Sequence, residues 1–408
     1  MRVLLADHIG GVAEQLRARG HEVLESPALD ADSLPAAVAG VDALVVRSTR
    51  VSAATIEAGS RLSLVLRAGA GTNTIDVEAA AAAGVYVCNV PGRNSVAVAE
   101  LTLGLLLALD RRIVDNTVDL RAGRWDKTSY SQARGVLGRT LGVLGLGDIG
   151  SAVARRAAAF GMPLATLARP SRPAATTALV EQLGIREVDG LAALAAASDV
   201  LTVHVPATAA TRGLVGAQVL AALPDGAFVL NTSRGDVVDE GALLAELDAG
   251  RLWAGLDVYP GEPAAGRTQW SSPLAAHPRV VGTHHIGAST EQAQQAVADG
   301  VVEVVDAFAH GDVRHCVNLA EGRLGSGTVV VRHRDRVGVL AGVFDLLRRA
   351  GVNIEQMDNR VFAGGTAAVA TIDVAGQVDR ELLARLDALP DVLHVSLLDV
   401  PATNGAAQ

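Results

Sequence analysis

Residues 141–150 read Leu-Gly-Val-Leu-Gly-Leu-Gly-Asp-Ile-Gly, so three glycines spaced G-x-G-x-x-G stand between an apolar run and a helical segment. Gly145 permits a tight turn, Gly147 lets the backbone approach a pyrophosphate, and Gly150 lets the helix pack closely on the strand. Backbone N–H groups at the start of that helix face the phosphates. The sequence thus predicts a dinucleotide-binding turn. Its expected cofactor contacts are Gly145, Gly147, Asp148, Ile149 and Gly150.

The composition indicates a globular α/β protein whose partners are small molecules. A length of 408 residues suggests two or three domains, and 50% hydrophobic residues with only 3% aromatic ones predict a core of Ala, Val and Leu. A formal net charge of −9 argues against a nucleic-acid surface, although local basic sites for small anions remain compatible with it.

Cysteine content and apolar runs give expectations about the cell compartment. Cys88 and Cys316 are too few for a disulfide framework and lack metal-ligand spacing, so we expect no metal and a reducing cytoplasm. Asp7 and His8 come too early for a signal peptide, and the run Leu101–Leu109 is too short to span a bilayer. We therefore expect a protein without a membrane partner.

The first ninety residues alternate short apolar strands with helical segments, which predicts a doubly wound parallel sheet. Polar residues follow two of its strands, in the runs 47–50 and 67–73, where open α/β sheets bind ligands. Arginines at strand ends favour an anionic substrate, and solvated surface arginines are the alternative. The candidate substrate contacts are Arg47, Ser48, Arg50, Arg67, Ala70 and Gly71.

The half of the chain that follows the glycine turn predicts a full Rossmann-type sheet. After its second strand, an acidic residue would normally hold the ribose 2′-OH of NAD. Residues 168–172 instead read Ala-Arg-Pro-Ser-Arg, with no acid and with Arg169 and Arg172. Two arginines suit a 2′-phosphate, which favours NADP slightly over NAD; the alternative is that they only decorate a loop.

Three further segments end strands of this sheet and contain an Arg, a Glu and a His. These segments are residues 231–236, 257–263 and 283–290. A 2-hydroxy acid needs a guanidinium to grip its carboxylate and a His to take the hydroxyl proton as hydride leaves. A carboxylate is needed to orient the imidazole and stabilise its charge. The three segments together predict such an oxidation.

These motifs resemble the D-2-hydroxyacid dehydrogenase family. The family has its Arg in Asn-x-x-Arg-Gly, its Glu in Glu-Pro and its His before (Leu/Ile)-Gly-(Ala/Gly)-x-Thr, which implies the catalytic residues Arg234, Glu262 and His285. His284 stands where members usually have Pro. The same resemblance implies cofactor roles for Asp257, beside the nicotinamide, and for His204 and Thr232.

The resemblance also implies a reaction and its alternatives. The whole chain is similar to the members that oxidise 3-phospho-D-glycerate to 3-phosphohydroxypyruvate with NAD or NADP in serine synthesis. A glyoxylate or hydroxypyruvate reductase is a second enzymatic interpretation, which suits the arginines after Ala168. A dinucleotide-sensing scaffold similar to a corepressor is an alternative of another class.

The domain organisation follows from the same resemblance and from a change in composition after Gly322. We expect a discontinuous substrate domain at 1–98 and 288–320, a dinucleotide-binding domain at 99–287 and a disordered tail at 401–408. Residues 326–400 have a ferredoxin-like βαββαβ order and resemble an ACT regulatory domain. The favoured effector is L-serine, bound between two paired copies of this unit, and its expected contacts are His333, Asp335 and Asn353. A structural pairing module is the alternative, and ACT pairing together with Trp125 suggests a homodimer or homotetramer.

Overall fold

The computed structural model describes residues 1–263, 268–320 and 325–399. The chain divides into two compact units, Met1–Asn318 and Leu319–Gln408. Two parallel sheets lie in the first unit and an antiparallel sheet in the second. Within the described ranges, no helix combines the length and the apolar character that a membrane crossing requires. The predicted disordered tail, 401–408, lies outside the described residues.

The first sheet contains five parallel strands in the order β2-β1-β3-β4-β5. The strands are β1 (Arg2–Leu5), β2 (Glu22–Glu25), β3 (Ala43–Val46), β4 (Leu64–Arg67) and β5 (Tyr86–Asn89). The connecting helices are α1 (Val12–Ala18), α2 (Leu34–Ala37), α3 (Ala53–Ala58) and α4 (Val77–Ala82). Because β3 is buried along its whole length, it reads as a continuous apolar run, which is typical of a parallel sheet covered on both faces.

Two helices, α5 (Ser95–Asp110) and α6 (Ile113–Arg121), lead to a second sheet of seven parallel strands. Its strands are β6 (Leu141–Leu144), β7 (Leu164–Leu167), β8 (Arg186–Val188), β9 (Val200–Val203), β10 (Phe228–Asn231), β11 (Trp253–Leu256) and β12 (Val280–Gly282). Their order is β12-β11-β10-β9-β6-β7-β8, so β6, which precedes the glycine turn, lies at the point where the strand order reverses.

Helices cover both faces of this sheet, and one of them returns to the first sheet. They are α7 (Asp148–Ala159), α8 (Ala174–Leu183), α9 (Leu191–Ala196), α10 (Ala217–Ala222), α11 (Glu240–Asp248), α12 (Pro273–Ala276) and α13 (Glu291–Ala309), with a short 3₁₀ helix at Gly235–Val237. Val301, Val302 and Val305 of α13 are buried in one cluster with Val3 and Leu64 of the first sheet. The core of the first sheet thus includes a helix that comes much later in the chain.

The second unit has the predicted βαββαβ order, with an antiparallel sheet in the order β14-β15-β13-β16. Its elements are β13 (Gly327–Arg334), α14 (Val339–Arg349), β14 (Asn353–Val361), β15 (Ala367–Ala375), α15 (Arg380–Asp387) and β16 (Val392–Asp399). Val331, Val343, Leu347 and Ile372 form the centre of its core. The predicted fold class, two parallel-sheet domains and a ferredoxin-like unit, is confirmed.

Candidate active site

The glycine turn has the backbone geometry that a dinucleotide site requires. Gly145 has φ +101°, and a Cβ there would lie 2.6 Å from the carbonyl oxygen of His204. A Cβ on Gly150 would collide with the carbonyl of Gly145, whereas a Cβ on Gly147 would meet nothing within 4 Å. Gly147 therefore borders open space that can hold a pyrophosphate. Gly145 and Gly150 instead allow the strand and helix α7 to pack closely. Asp148, the first residue of α7, is exposed.

His204, at the end of β9, also fits a bound group beside this turn. Its Nε2 lies 2.8 Å from Thr202 Oγ1, and its buried Nδ1 has no hydrogen-bond partner among the described residues. Burial lowers the pKa of His204 to about 3, so the ring is neutral. A buried nitrogen without a partner costs free energy unless a ligand or water supplies one. Thr232, also predicted, hydrogen bonds Thr102 of α5 at 2.9 Å.

The two arginines after β7 have different surroundings. Arg169 is exposed. Arg172 has a side chain only 10% exposed, and its Nη2 lies 2.8 Å from Glu187 Oε1 on β8. Arg172 also donates to the carbonyl of Leu167 at the end of β7. Arg172 therefore fixes the loop in this conformation, while Arg169 faces solvent.

A cleft of about 1170 Å³ brings together residues from both parallel sheets of the first unit. Of the predicted site, its lining includes Arg47, Ser48, Arg67, Arg234, Glu262 and His285. Arg50, Ala70 and Gly71 are outside the described cleft lining, although Gly71 lies against the Nη2 atom of Arg234. Tyr259 and Trp270, which lie between β11 and α12, also line the cleft, with ring centroids 5.2 Å apart. The sequence motifs did not indicate this aromatic pair.

His285 and Glu262 form a paired imidazole and carboxylate in the cleft. His285 Nδ1 is in close contact with Glu262 Oε1, and the N–H of Tyr259 donates to Glu262 Oε2 at 2.9 Å. His285 has φ +52°, an uncommon backbone conformation, and its N–H donates to the carbonyl of Asp257 at 2.8 Å. Because Nδ1 is occupied by the carboxylate, Nε2 is the nitrogen that can take a proton from a substrate hydroxyl.

Asp257 holds the loop that carries His285. Its side chain is buried, and Oδ1 accepts hydrogen bonds from Thr283 Oγ1 at 2.6 Å and from the N–H of Ile286 at 2.8 Å. Oδ2 accepts from the N–H of Gly287 at 2.9 Å. The resemblance placed Asp257 beside the nicotinamide; the structure shows both carboxylate oxygens engaged with the His285 loop.

Two arginines from different sheets lie near each other in the cleft. Arg234 donates from Nη1 to the carbonyl of Ser233 at 2.7 Å. Burial lowers the pKa of Arg234, and the nearby charge of Glu262, which raises it, only partly offsets this effect. Arg67, at the end of β4, donates to the carbonyl of Arg47 at 3.2 Å. Burial, with the charges of Arg234 and Arg47, lowers the pKa of Arg67 to about 10. This site concentrates positive charge, which an anionic ligand would neutralise.

Asp7, which sequence reasoning missed, orders the loop at 47–49. Its Oδ2 accepts from the N–H groups of Arg47 at 2.7 Å and Thr49 at 3.1 Å, and Oδ1 accepts from Ser48 Oγ at 2.8 Å. Burial opposes ionisation, but these hydrogen bonds outweigh it and lower the pKa of Asp7. Its position two residues after β1, at the same sheet edge as the arginines, was the available signal.

Comparisons with known proteins fit this geometry. Residues 103–287 match the NAD-binding domain of D-isomer specific 2-hydroxyacid dehydrogenases, and residues 327–391 match the ACT domain. The chain is 40% identical over 307 residues to a hydroxypyruvate reductase of Thermotoga maritima, across 74% of this chain and 97% of that protein. The chain belongs to the D-isomer specific 2-hydroxyacid dehydrogenase family. It is an oxidoreductase that uses a nicotinamide dinucleotide, as the motifs predicted.

Other relatives of this dehydrogenase include a D-3-phosphoglycerate dehydrogenase of Methanocaldococcus jannaschii, 36% identical over 331 residues and 80% of this chain. The chain spans 61% of that relative's length. Among solved structures, the TT0316 protein of Thermus thermophilus is similar, with a TM-score of 0.68 and 34% identity over 78% of this chain and all of that one.

In this dehydrogenase the residues of the cleft have distinct tasks. A bound nicotinamide dinucleotide supplies the hydride acceptor or donor. The paired donors of a guanidinium such as Arg234 can hold a substrate carboxylate in two places, which fixes the carbon next to it. A positioned His can take the hydroxyl proton during oxidation and return it during reduction, and a neighbouring carboxylate such as that of Glu262 can stabilise the imidazolium.

The ACT domain holds the three predicted effector residues in different environments. His333 is buried; its Nδ1 lies 2.8 Å from the carbonyl oxygen of Arg334, and its Nε2 lies 3.2 Å from Asn359 Oδ1. Asp335 and Asn353 are exposed, and Asn353 donates to Glu355 at 2.8 Å. Asp335 and Asn353 are thus available to a ligand, whereas His333 is part of the sheet's own polar contacts.

Proposed function

We propose that this dehydrogenase oxidises 3-phospho-D-glycerate to 3-phosphohydroxypyruvate and catalyses the reverse reaction. The observation that carries the proposal is the surplus of positive charge in the cleft. Arg47, Arg67 and Arg234 line one cavity, and the burial and mutual repulsion of Arg67 and its neighbours lower its pKa. One guanidinium suffices for the carboxylate of a hydroxy acid, so the other two can meet a second, dianionic group.

The roles of individual residues form part of this proposal. Arg234 binds the substrate carboxylate, His285 exchanges the hydroxyl proton through Nε2, and Glu262 orients and stabilises the imidazolium. Arg47 and Arg67 bind the phosphate, with Ser48 as a hydroxyl donor. Asp7 contributes to phosphate binding only by ordering the loop at 47–49, because its oxygens already accept hydrogen bonds from that loop.

The chain offers a matched pair of variants that tests the phosphate site. Arg47→Ala removes a guanidinium from the cleft lining, whereas Arg50→Ala removes an exposed one a few residues away that is outside it. Steady-state KM values for 3-phospho-D-glycerate and D-glycerate are compared. Arg47→Ala should raise KM for the phosphorylated substrate roughly tenfold or more and change KM for D-glycerate little, because a charged hydrogen bond is worth about 1.5–3 kcal/mol. Equal effects on both substrates, or equal effects of both variants, contradict the assignment.

A second candidate function is reduction of hydroxypyruvate or glyoxylate. Its support is the Thermotoga maritima relative, whose whole length this chain nearly covers. Hydroxypyruvate and 3-phosphohydroxypyruvate differ only in the phosphate. Comparing kcat/KM for the reduction of these two keto acids therefore distinguishes the two functions. A preference for the unphosphorylated keto acid would favour this second candidate.

For the cofactor we propose that NADP is accepted as well as NAD, with Arg169 meeting the 2′-phosphate. Its exposed guanidinium is free to turn toward a ligand, whereas Arg172 is held by Glu187. Arg169→Ala should lower kcat/KM for NADP roughly 10- to 100-fold and leave kcat/KM for NAD nearly unchanged. Arg172→Ala is the comparison variant: it should affect both cofactors alike because it loosens the loop. A wild-type enzyme that rejects NADP contradicts the proposal.

We further propose the domain limits given by the sequence, homo-oligomers as the working state, and L-serine as an effector of the ACT domain. Trp125 supports the oligomer, since it is 82% exposed and follows α6, whose apolar side chains are also largely exposed. Such exposed apolar side chains are typical of surfaces that another subunit covers.

A further inference from the structure

The two cysteines of the chain lie opposite each other across an antiparallel bridge. Cys88 is in β5, the edge strand of the first sheet, and Cys316 follows α13 on the returning chain. The N–H of Asn89 donates to the carbonyl of His315 at 3.2 Å, and the N–H of Val317 donates to the carbonyl of Val87 at 2.8 Å. The backbone hydrogen bonds join the residues on either side of Cys88 and Cys316, not the two cysteines themselves. The cysteines therefore form a non-hydrogen-bonded pair of the antiparallel bridge.

Residues in such a pair have Cα atoms about 4.5 Å apart and side chains on the same face of the strands. That separation lies within the range of roughly 4.4–6.8 Å that a disulfide spans. Both cysteines are free thiols, and Cys316 is among the groups that raise the pKa of Cys88, so the two side chains are neighbours. Backbone geometry therefore places both sulfur atoms for bond formation without a rearrangement of the sheet.

Asn318 fixes this pairing independently of the cysteines. Its Nδ2 donates to the carbonyl of Val85 at 2.8 Å, and its Oδ1 accepts from the N–H of Val87 at 2.8 Å. The same Oδ1 accepts a hydrogen bond from the Cys316 thiol at 3.1 Å. The returning chain is therefore tied to the edge strand on both sides of Cys316.

We propose that Cys88 and Cys316 form a reversible intramolecular disulfide by exchange with a low-molecular-weight disulfide, which fastens the returning chain covalently to β5. The expectation that two cysteines provide no disulfide framework concerned folding; this bond is instead a modification of the folded enzyme. It joins the first sheet to the segment that immediately precedes the second compact unit.

The exposure of the two thiols sets the order of the steps. Cys316 is half-buried, whereas Cys88 is fully buried, and burial together with the neighbouring Cys316 raises the pKa of Cys88 to about 12. The Cys316 thiolate attacks one sulfur of the reagent R–S–S–R, forms a mixed disulfide and releases one thiolate, which takes up a proton. Cys88 then loses its proton and attacks the Cys316 sulfur, releasing the second thiol. Two electrons pass from the cysteine pair to the reagent, which ends as two R–SH.

The test uses the full-length, reduced protein with oxidised glutathione as the probe, followed by peptide mapping without reductant. We expect a cross-linked peptide containing Cys88 and Cys316 and a protein mass lower by two hydrogen atoms. Reductant should reverse both changes. Because the bond closes a long loop in the unfolded chain, Tm should rise by roughly 5 °C. A disulfide between two chains, an unreacted pair, or glutathione retained on the wild-type protein overturns the proposal.

Two single variants check the order of attack. Cys88→Ala should accumulate glutathione on Cys316, because the second thiol is missing. Cys316→Ala should stay unmodified while folded, because Cys88 is shielded. A glutathione adduct on Cys88 in the folded Cys316→Ala variant would contradict the assigned order and the closed environment on which the pairing depends.

Discussion

At the scale of single residues, two aspartates arrange the cleft without facing the reacting atoms. Asp7 accepts hydrogen bonds from the loop that carries Arg47, and Asp257 accepts them from the loop that carries His285. Each lies within two residues of the end of a strand, where loop donors converge on a carboxylate. Replacing either aspartate should displace Arg47 or His285, to which we assign roles in the proposed reaction, so loss of activity alone would not mark an aspartate as catalytic.

His204 makes the pH dependence of stability a residue-scale prediction. Its folded-state pKa of about 3 lies below the ordinary value of 6.5, so between these values the unfolded chain binds a proton that the folded protein excludes. Stability is therefore complete above about pH 6.5 and falls as pH decreases, by up to about 1.4 kcal/mol per pH unit from this group. His204→Gln should make Tm fall less steeply between pH 7 and pH 5.

Differential scanning calorimetry at several pH values measures this effect. His310→Gln, at an exposed position, is the control and should leave the slope of Tm against pH unchanged. If the wild-type protein and His204→Gln gave parallel curves, His204 would not be buried in its neutral form.

At the scale of elements, an ion pair joins the end of α5 to the start of the second sheet. Arg139 Nη1 lies 3.2 Å from Asp110 Oδ1, and their side chains are only 5% and 3% exposed. The Arg139 guanidinium also lies 4.3 Å from the ring centroid of Phe228 on β10. Removing one partner of a buried pair leaves an uncompensated charge, so Asp110→Ala should lower the free energy of unfolding by about 3–5 kcal/mol.

Urea unfolding measures that loss, and the chain contains a solvent-exposed counterpart. Asp225→Ala removes an 80% exposed partner of Arg251 and should cost no more than about 1 kcal/mol. Asp110→Leu combined with Arg139→Met should recover most of the stability that Asp110→Ala loses. Equal costs for Asp110→Ala and Asp225→Ala would show that burial does not control the strength of the pair.

Elements with strong apolar patterns were predictable from the sequence. The sequence predicts strands at Leu164–Leu167, Val200–Val203 and Phe228–Asn231, each a short apolar run between polar segments, and the structure has buried strands with these bounds. The edge strand Arg186–Val188 was missed because two of its three residues are exposed and no periodicity distinguishes it from a loop. Edge strands depend on pairing with a neighbour, which local sequence does not reveal.

The candidate site was predictable only as far as strand ends reveal it. Motif spacing located Arg234, Glu262 and His285, and the structure places all three along one cleft. Arg47 and Arg50 were equivalent in the sequence, but only Arg47 lies in the described cleft lining. The contribution of Asp7 depends on contacts across about forty residues of chain, which a single sequence does not specify.

At the scale of the whole molecule, the proposed substrate site is built from two sheets of the first unit. Arg67 ends a strand of the first sheet and Arg234 follows a strand of the second, and each repels the other. A bound anion between them removes this repulsion. If the proposed site binds its substrate, binding should stabilise the arrangement of the two sheets at the cleft, and phosphate alone should raise the Tm of the enzyme.

The last prediction concerns the ACT domain, whose β14 is an edge strand with mostly exposed residues. L-serine should bind between two paired copies of this domain, with Asp335 and Asn353 as its contacts, and should lower the oxidation rate. A coupling of about 1–3 kcal/mol means that serine changes substrate affinity roughly 5- to 150-fold, and substrate must change serine affinity by the same factor. Calorimetric titration and initial rates measure both directions. Asn353→Ala should abolish the response, whereas Asp358→Asn, exposed on the same strand, should retain it. No binding heat and no rate change up to millimolar serine would leave pairing between chains as the role of this domain.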